Sequence, residues 1–542
     1  MALTYKAKLK FSVKKTFELI RAIIKNKKGA FGLAIIIVFV IFALFPQLFT
    51  HYHPTGQREL AGSMAAPSWM RYLPGGEGLS ENIFVIRDPG FKNPESIYQF
   101  NISMTDPESV HIEYIPSFGY PYIYGRGPGC MAVTYKREDA RPKGNVTVEI
   151  SKSFYYEFQG PPSKFSGDVA IFVEGTVREI EGKRLLDVPV QIKVYIKNQE
   201  GKKFCLWTPS TKLIDTPFND WRITRSSPSS RTSEMSSWST SLKLRMYGYV
   251  IDPNTGQKTP YWFLFAVSPE RDIFGNKTGI MSYGIEISFI DQGPAENVKT
   301  TVYIDSLYFR TYGTAWGLLG TDKEGRDLFS QLIYGTRISL YVGLLAAIIG
   351  VILGLIVGLA AGYLGKLVDE FLMRFTDMLL VIPGLPLLIV LVAVLGATIH
   401  NLIILLGFLG WMSFARVVRS QVLSLRERPF IEAARAAGAG TFYILRRHIL
   451  PNLMGLVYVT LAQSVPGLIV TEASLSWLGF YDPSVMSWGR MLYSVQFEAG
   501  GAFDKWWWVL APGSCIALLA VAFIMIGFAM DEILNPKLRE RV

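Results

Sequence analysis

Apolar residues in this chain follow two patterns: long unbroken runs near both ends, and alternation with polar residues in between. A bilayer core of roughly 30 Å takes about 20 apolar helical residues. Residues 30–49 form one such run without a charge, and 339–365 form a longer one. The runs 378–398, 453–471 and 506–530 are also long enough, although Pro383 and Pro386 are expected to kink the first of them. Residues 403–415 are short, and reach about 18 only if the uncharged flank from 398 is included. The pattern predicts six transmembrane helices. Between the first two, "GNVTVEISKSFYYEF", "DVAIFVEGTVREI" and "VPVQIKVYIKN" alternate with period two in part, as half-buried strands do. "SLKLRMYGYVIDPNTGQKTPYWFLFAV" reads as a hairpin turning at Asp252–Gly256, and "GIEISFI" and "TTVYIDSLYF" follow. Strands at such spacing predict a β-sandwich or jelly roll. Residues 51–130 hold more Gly and Pro and weaker strands, and are expected to form a separate irregular lobe.

Composition agrees: the 542 residues are 50% hydrophobic and 18% charged, with a net charge of +11. The basic residues sit beside the apolar runs. Lys6, Lys8, Lys10, Lys14, Lys15, Arg21, Lys25, Lys27 and Lys28 precede the first run. Arg416, Arg419, Arg426, Arg428, Arg435, Arg446 and Arg447 lie between the fourth and fifth, and Lys537, Arg539 and Arg541 follow the last. The positive-inside rule then makes both termini and the 416–452 connection cytoplasmic, and 51–315 external, in a multi-pass plasma-membrane protein. The positive charge is a topology signal rather than a nucleic-acid footprint. The long basic leader and the absence of an A-x-A-like site after Phe49 argue for a retained helix rather than a signal peptide. The domains expected are 1–29, a basic cytoplasmic N-terminus; 30–50, the first transmembrane helix; 51–315, an external β-rich domain; and 316–542, an α-helical membrane core with a cytoplasmic loop at 420–452.

The external segment carries three glycosylation sequons, Asn101, Asn145 and Asn276. It also holds Cys130 and Cys205, which can pair in an oxidising exterior or remain two buried thiols. Trp207, Trp221, Trp238 and Trp262 can stack on sugar rings or fill a core. "GTDKEGRD" (320–327) has P-loop glycine spacing but Arg326-Asp327 in place of Lys-Ser/Thr, so no nucleotide site is expected. No metal site is expected, and His51 and His53 read as a solvated pair. Thr321 and Glu324 have capping-box spacing before an amphipathic helix that lies on the outer surface and turns into the second span. Arg374 and Asp377 can pair on one helical face, and Glu472, at a span edge, reads as a packing or capping residue.

The segment "EAARAAGAGTFYILRRHILPN" (432–452) is polar and glycine-broken between two apolar runs. Residues 431–437 favour helix, Gly438 and Gly440 stop it, and Thr441 is placed to cap a second helix, 442–449, ending before Pro451. A plain reversal needs only a few residues. Two angled helices with small residues on one face and Arg435, Arg446 and Arg447 nearby suit docking of a cytoplasmic partner. Glu432-Ala433-Ala434, Gly438 and Leu450-Pro451 resemble the EAA loop of ABC importer permeases, with His448 where an aliphatic residue often stands. "RHILPN", "LGTDKEGRDLFSQLIYGTRISL", "EASLSWLGFYDPSVMSWGRML" and the tail "DEILNPKLRERV" resemble the C-type subunit of the oligopeptide/dipeptide permease family. The similarity covers roughly 318–542 and the first span; the external segment is far larger than is typical there.

The resemblance implies a type I importer permease fold with a β-rich domain inserted between the first two helices. It implies a transport subunit, not an enzyme, without a cofactor of its own. ATP and Mg would be bound by two partner ATPases docking on Glu432, Ala433, Ala434, Arg435, Gly438, Leu450 and Pro451. The other partners implied are a homologous second permease, an external substrate-binding protein and membrane lipid, with no nucleic acid. The substrate would be an oligopeptide, dipeptide or oligosaccharide. The alternatives are an external glycan-binding or hydrolytic protein on a membrane anchor, and an ATP-independent channel or carrier.

Overall fold

The structure is a computed structural model that describes residues 18, 20–120, 129–208, 213–224, 249–251, 258–260, 269–498 and 505–534. It divides into two compact units, Met1–Arg58 with Arg326–Val542, and Glu59–Gly325. The Asp252–Gly256 turn, Trp238, Trp262, the first five lysines and the basic tail lie outside the described residues.

The Glu59–Gly325 unit is a two-sheet β structure with fifteen described strands: β1 (Ile83–Phe84), β2 (Asn101–Met104), β3 (Val110–Ile115), β4 (Cys130–Arg137), β5 (Gly144–Tyr156), β6 (Lys164–Gly175), β7 (Val177–Ile180), β8 (Lys183–Leu186), β9 (Val190–Lys197), β10 (Lys203–Trp207), β11 (Arg222–Thr224), β12 (Tyr249–Ile251), β13 (Lys258–Pro260), β14 (Gly279–Asp291) and β15 (Val298–Tyr312). One sheet runs β11-β6-β15-β4-β3 with β1 on β15; the other runs β13-β12-β10-β9-β14-β5-β2; β7 and β8 pair apart. Period-two alternation sets the register. Val146, Val148 and Ile150 of β5 stand opposite Phe289, Ile287 and Ile285 of β14, and all six are buried in the shared core. Each large apolar side chain fully buried this way contributes roughly 1.5–3 kcal/mol. The hairpin read from the sequence is present as β12 against β13. The separate lobe is not: β2 joins the second sheet and β3 the first, so residues from 101 onward belong to the sandwich. Their strands are short, which is why the alternation was faint.

Cys130 and Cys205 are free, buried thiols on strands of different sheets, so the disulfide is replaced by its alternative. Burial pushes the Cys130 thiol up to about 12, and the Cys205 thiol donates to the Trp207 carbonyl. Trp207 sits in the core. Asn101, Asn145 and Asn276 are all exposed. A buried ion pair ties the sheets: Arg137 Nε donates to Asp291 Oδ2 at 2.6 Å, and Tyr135 donates to the same oxygen at 2.7 Å.

The other unit is helical. α1 (Lys27–Leu44) is capped by Asn26, which accepts from the Lys28 and Gly29 amides. α2 (Pro269–Phe274) belongs to the β unit. α3 (Leu328–Leu364) is one 37-residue helix. At 1.5 Å per residue it is about 55 Å long, so the surface helix and span expected separately are fused. Asp327 caps it by accepting from the Ser330 amide at 2.8 Å, in place of the expected Thr321–Glu324 box. The next two helices are α4 (Lys366–Val381) and α5 (Gly384–Leu395), bent by 88° to one another. Ile382 is extended (φ −74°, ψ 127°) because it precedes Pro383, so the third run is broken rather than kinked. α6 (Ile399–Gly410) and α7 (Met412–Arg426) act as a single 28-residue apolar stretch, which carries the fourth span past Ala415 and places Arg416, Arg419 and Arg426 on a helix. α8 (Pro429–Ala436), α9 (Thr441–Ile444), α10 (Leu450–Trp477), α11 (Trp488–Tyr493) and α12 (Trp506–Leu534) complete it. Five helices among the described residues are long and apolar enough to cross a membrane, and the bent α4–α5 pair makes a sixth if it counts as one span.

Gly350, Gly354, Gly358 and Gly362 form a four-residue repeat that lets α3 meet α6 and α7 at backbone distance. A Cβ on Gly354 would lie 2.8 Å from the Trp411 carbonyl, and one on Gly358 2.6 Å from that of Ala415. Asp377 pairs with Arg416 rather than with Arg374, which reaches Glu370 at 3.6 Å. The partner lies 39 residues away, so helical spacing gave no sign of it. Asp369 takes both Nε and Nη2 of Arg419. Glu472 is buried and accepts from Ser476 and Ser487, whose oxygen caps α11, a packing role as expected.

Candidate coupling site

The 429–452 segment is built from its ends inward. Pro429 at the first turn of α8 needs no amide partner there. α8 stops in a Schellman motif. The Ala439 amide donates to the Ala434 carbonyl, and the Gly438 amide to that of Arg435, both at 3.0 Å. Gly438 has φ +81°, the left-handed conformation this motif requires. α9 then begins at Thr441 with Gly440 as N-cap, so Thr441 is not the cap. The second helix also does not end before Pro451. It passes through a π turn at Leu445–Ile449 and continues as α10. Proline collides with the carbonyl four residues back and offers it no hydrogen; the wider π turn accommodates both defects.

Three isoleucines anchor the segment. Ile431, Ile444 and Ile449 are at most 1% exposed and pack with Val351, Phe414, Val418, Val422 and Leu453. α8 and α9 are thereby fixed to α3, α7 and α10. His448 lies between the rings of Phe430 (6.3 Å) and Tyr443 (5.8 Å), and its carbonyl accepts from Asn452. This aromatic bridge explains why the position tolerates a departure from an aliphatic residue.

The outward face is different in character. Glu432, Ala433, Arg435, Gly438 and Pro451 are exposed, while Ala434 and Leu450 are half-buried. Among the described residues, Glu432, Arg435, Arg446 and Arg447 make no ion pair. Phe442 is 74% exposed and Tyr443 56%. Large apolar side chains beside unpaired charges, on a rigidly anchored support, are the makings of a protein interface. Sequence reading picked out the charged and small residues but missed Phe430, Phe442 and Tyr443. Their outward placement shows only in the structure, where all three are exposed.

Comparison with known proteins gives this geometry a context. The family described as binding-protein-dependent transport system inner membrane component matches residues 318–540. The dipeptide transport system permease protein of Bacillus subtilis (strain 168) is 38% identical over 222 residues, 41% of this chain and 68% of that one. Its counterpart from Alkalihalophilus pseudofirmus is 39% identical over 287 residues, 51% of this chain and 92% of that one. The chain belongs to the dipeptide/oligopeptide permease family of ABC importers. Among solved structures, the MetNI methionine ABC transporter in an inward-facing conformation is 20% identical, covering 38% of this chain and 96% of that one, with a TM-score of 0.31. By that family membership and its apolar helices this permease is a multi-pass membrane protein, and its relatives are permease subunits rather than enzymes. The matched residues include the whole 429–452 segment, and the β unit lies almost wholly outside them.

Proposed function

We propose that this permease is one of two transmembrane subunits of an ATP-driven importer of dipeptides or oligopeptides, and that α8 and α9 are the lever through which cytoplasmic ATPases move it. The observation that carries this reading is the exposed face of 430–443, mixed apolar and charged, on a base locked by Ile431, Ile444 and Ile449. A lever must not bend at its root, and buried β-branched side chains supply that stiffness. The relatives' names favour peptides over oligosaccharides, and nothing supports the anchored-lectin or channel alternatives. A homologous second permease, a pair of ATPases and a substrate-binding protein are the partners this role requires. The 51–315 segment, with its three sequons, faces outward under this reading.

The test uses the reconstituted complex. Phe442→Asp and Glu432→Lys change exposed side chains, so the chain should fold and pair with the second permease. Both should uncouple it: ATP hydrolysis stimulated by loaded binding protein should fall by about tenfold or more, as expected when a buried anchor of a protein interface is lost. Normal stimulation in both variants would refute the docking role.

A further inference from the structure

We propose that one face of α10, carrying Thr460, Gln463, Ser464, Gly467, Thr471 and Ser474, lines the route of the transported peptide, with Gln463 contacting its backbone. The proposal rests on the importer reading above and names residues for it. At 100° per residue these six positions fall within an arc of about 100°, so they share one side of the helix. From Gln463 to Ser474 the strip runs about 16 Å along the axis, from near the middle of the 453–471 apolar run toward the C-terminal end of the Thr441–Trp477 span.

Lipid is a poor neighbour for this face. The hydroxyls alone would be tolerated, because Ser464, Thr471 and Ser474 each donate to the carbonyl four residues back, at 2.8 Å. Gln463 is another matter. The residue is exposed, and its side chain, which reaches alongside Gly527 of α12, has no hydrogen-bond partner among the described residues. A chain of two donors and an acceptor at mid-span must meet water, solute or another polar group.

A space is present for the solute. A cavity of about 280 Å³ lies between this face and the opposing wall, lined by Gln463, Ser464, Gly467 and Thr471 on one side. The other side is apolar, with Ala347, Gly350 and Val351 of α3, Gly410 at the end of α6 and Phe414 of α7. Neither wall carries a charged side chain. Uncharged donors and acceptors at intervals of one helical turn suit what all peptides share, the amide N–H and C=O, and not any particular side chain. A charged strip would favour one net charge and exclude the rest.

The experiment is cysteine accessibility in the assembled transporter, in a parent with Cys130, Cys205 and Cys515 replaced by Ala. Gln463→Cys and Thr471→Cys are compared with Leu518→Cys, which is 49% exposed on α12 and lies on no polar strip. A charged, water-soluble thiol reagent should modify the first two at least about tenfold faster than the third, since hydrocarbon excludes it. Trialanine with its binding protein and ATP should slow that modification severalfold. Modification no faster than at Leu518→Cys in both variants overturns the proposal, whether lipid or a packed helix covers the face. Fast modification that trialanine leaves unchanged, in a parent whose ATP hydrolysis trialanine stimulates, overturns the contact with Gln463. If trialanine stimulates nothing in the parent, the peptide reading fails instead, and the relative labelling rates still decide whether the strip lines the route.

Discussion

Asp305 lies at a bulge in β15, 2% exposed, with one carboxylate oxygen accepting from the Tyr120 amide at 2.6 Å and the other from the Ser306 amide at 2.5 Å. Burial raises its pKa to about 6 despite those two bonds. The unfolded chain would titrate near 3.9. The folded state therefore holds this proton more tightly. Below about pH 4 the group costs nothing, and as pH rises to about 6 it removes up to roughly 3 kcal/mol of stability, constant thereafter. Asp305→Asn should abolish that slope. Thermal unfolding of the β unit between pH 4 and 7.5 would show a smaller loss with rising pH in the variant, and equal slopes would refute the assignment. Nothing in "TTVYIDSLYF" announced this site. The segment read as an even strand, but Ser306 adopts φ +51° and the register slips between Asp305 and Tyr308. A bulge turns consecutive residues inward, which alternation cannot express.

At the scale of elements, Gly438 and Gly440 show where sequence reading stopped short. Both read as helix breakers of one kind. The structure separates them: Gly438 is left-handed at φ +81°, whereas Gly440 is an N-cap at φ −69°. A Cβ at either position meets nothing within 4 Å, so space is not at issue. Gly438→Ala should destabilise the segment by roughly 1–2 kcal/mol, and Gly438→Asn by less, since Asn tolerates that region. Gly440→Ser should be neutral or mildly stabilising, because serine caps better than glycine. Thermal unfolding of the purified permease would rank them; an equal cost for Gly438→Ala and Gly440→Ser would contradict this account. The spans themselves were legible because hydrocarbon demands unbroken apolar runs. The break at Pro383 and the passage through Pro451 were not. A proline ends a helix, bends it or sits in a widened turn according to what surrounds it, and that depends on tertiary packing. The glycine repeat of α3 was also passed over, because inside an apolar run four glycines look like filler until a neighbouring backbone is found against them.

At the scale of the whole chain, the β unit begins and ends at one place. The Glu59 amide donates to the Glu324 carbonyl at 2.9 Å, and the Leu60 amide to that of Gly325 at 2.8 Å, so its first and last residues lie side by side. Such an arrangement lets a domain be inserted into a host, or removed from it, without stretching the host's chain. Replacing 59–325 with a short Gly/Ser linker should therefore leave the helical unit able to insert and to assemble. The unit expressed alone should give a cooperative unfolding transition, since its core is made entirely of its own residues. Sidedness is checked on the intact chain. Tyr98→Cys, 85% exposed, should react with a membrane-impermeant reagent in whole cells, and Phe442→Cys should not. The reverse pattern would invert the topology. With that fixed, the excised transporter tells what the unit is for. If it concentrates substrate or steers the binding protein, excision should raise the substrate concentration needed for half-maximal uptake and leave the maximal rate alone, because only the encounter is affected. If it merely shields the entrance, both quantities should stay unchanged. A fall in maximal rate with no change in that concentration would contradict both readings and place the unit in the transport cycle itself.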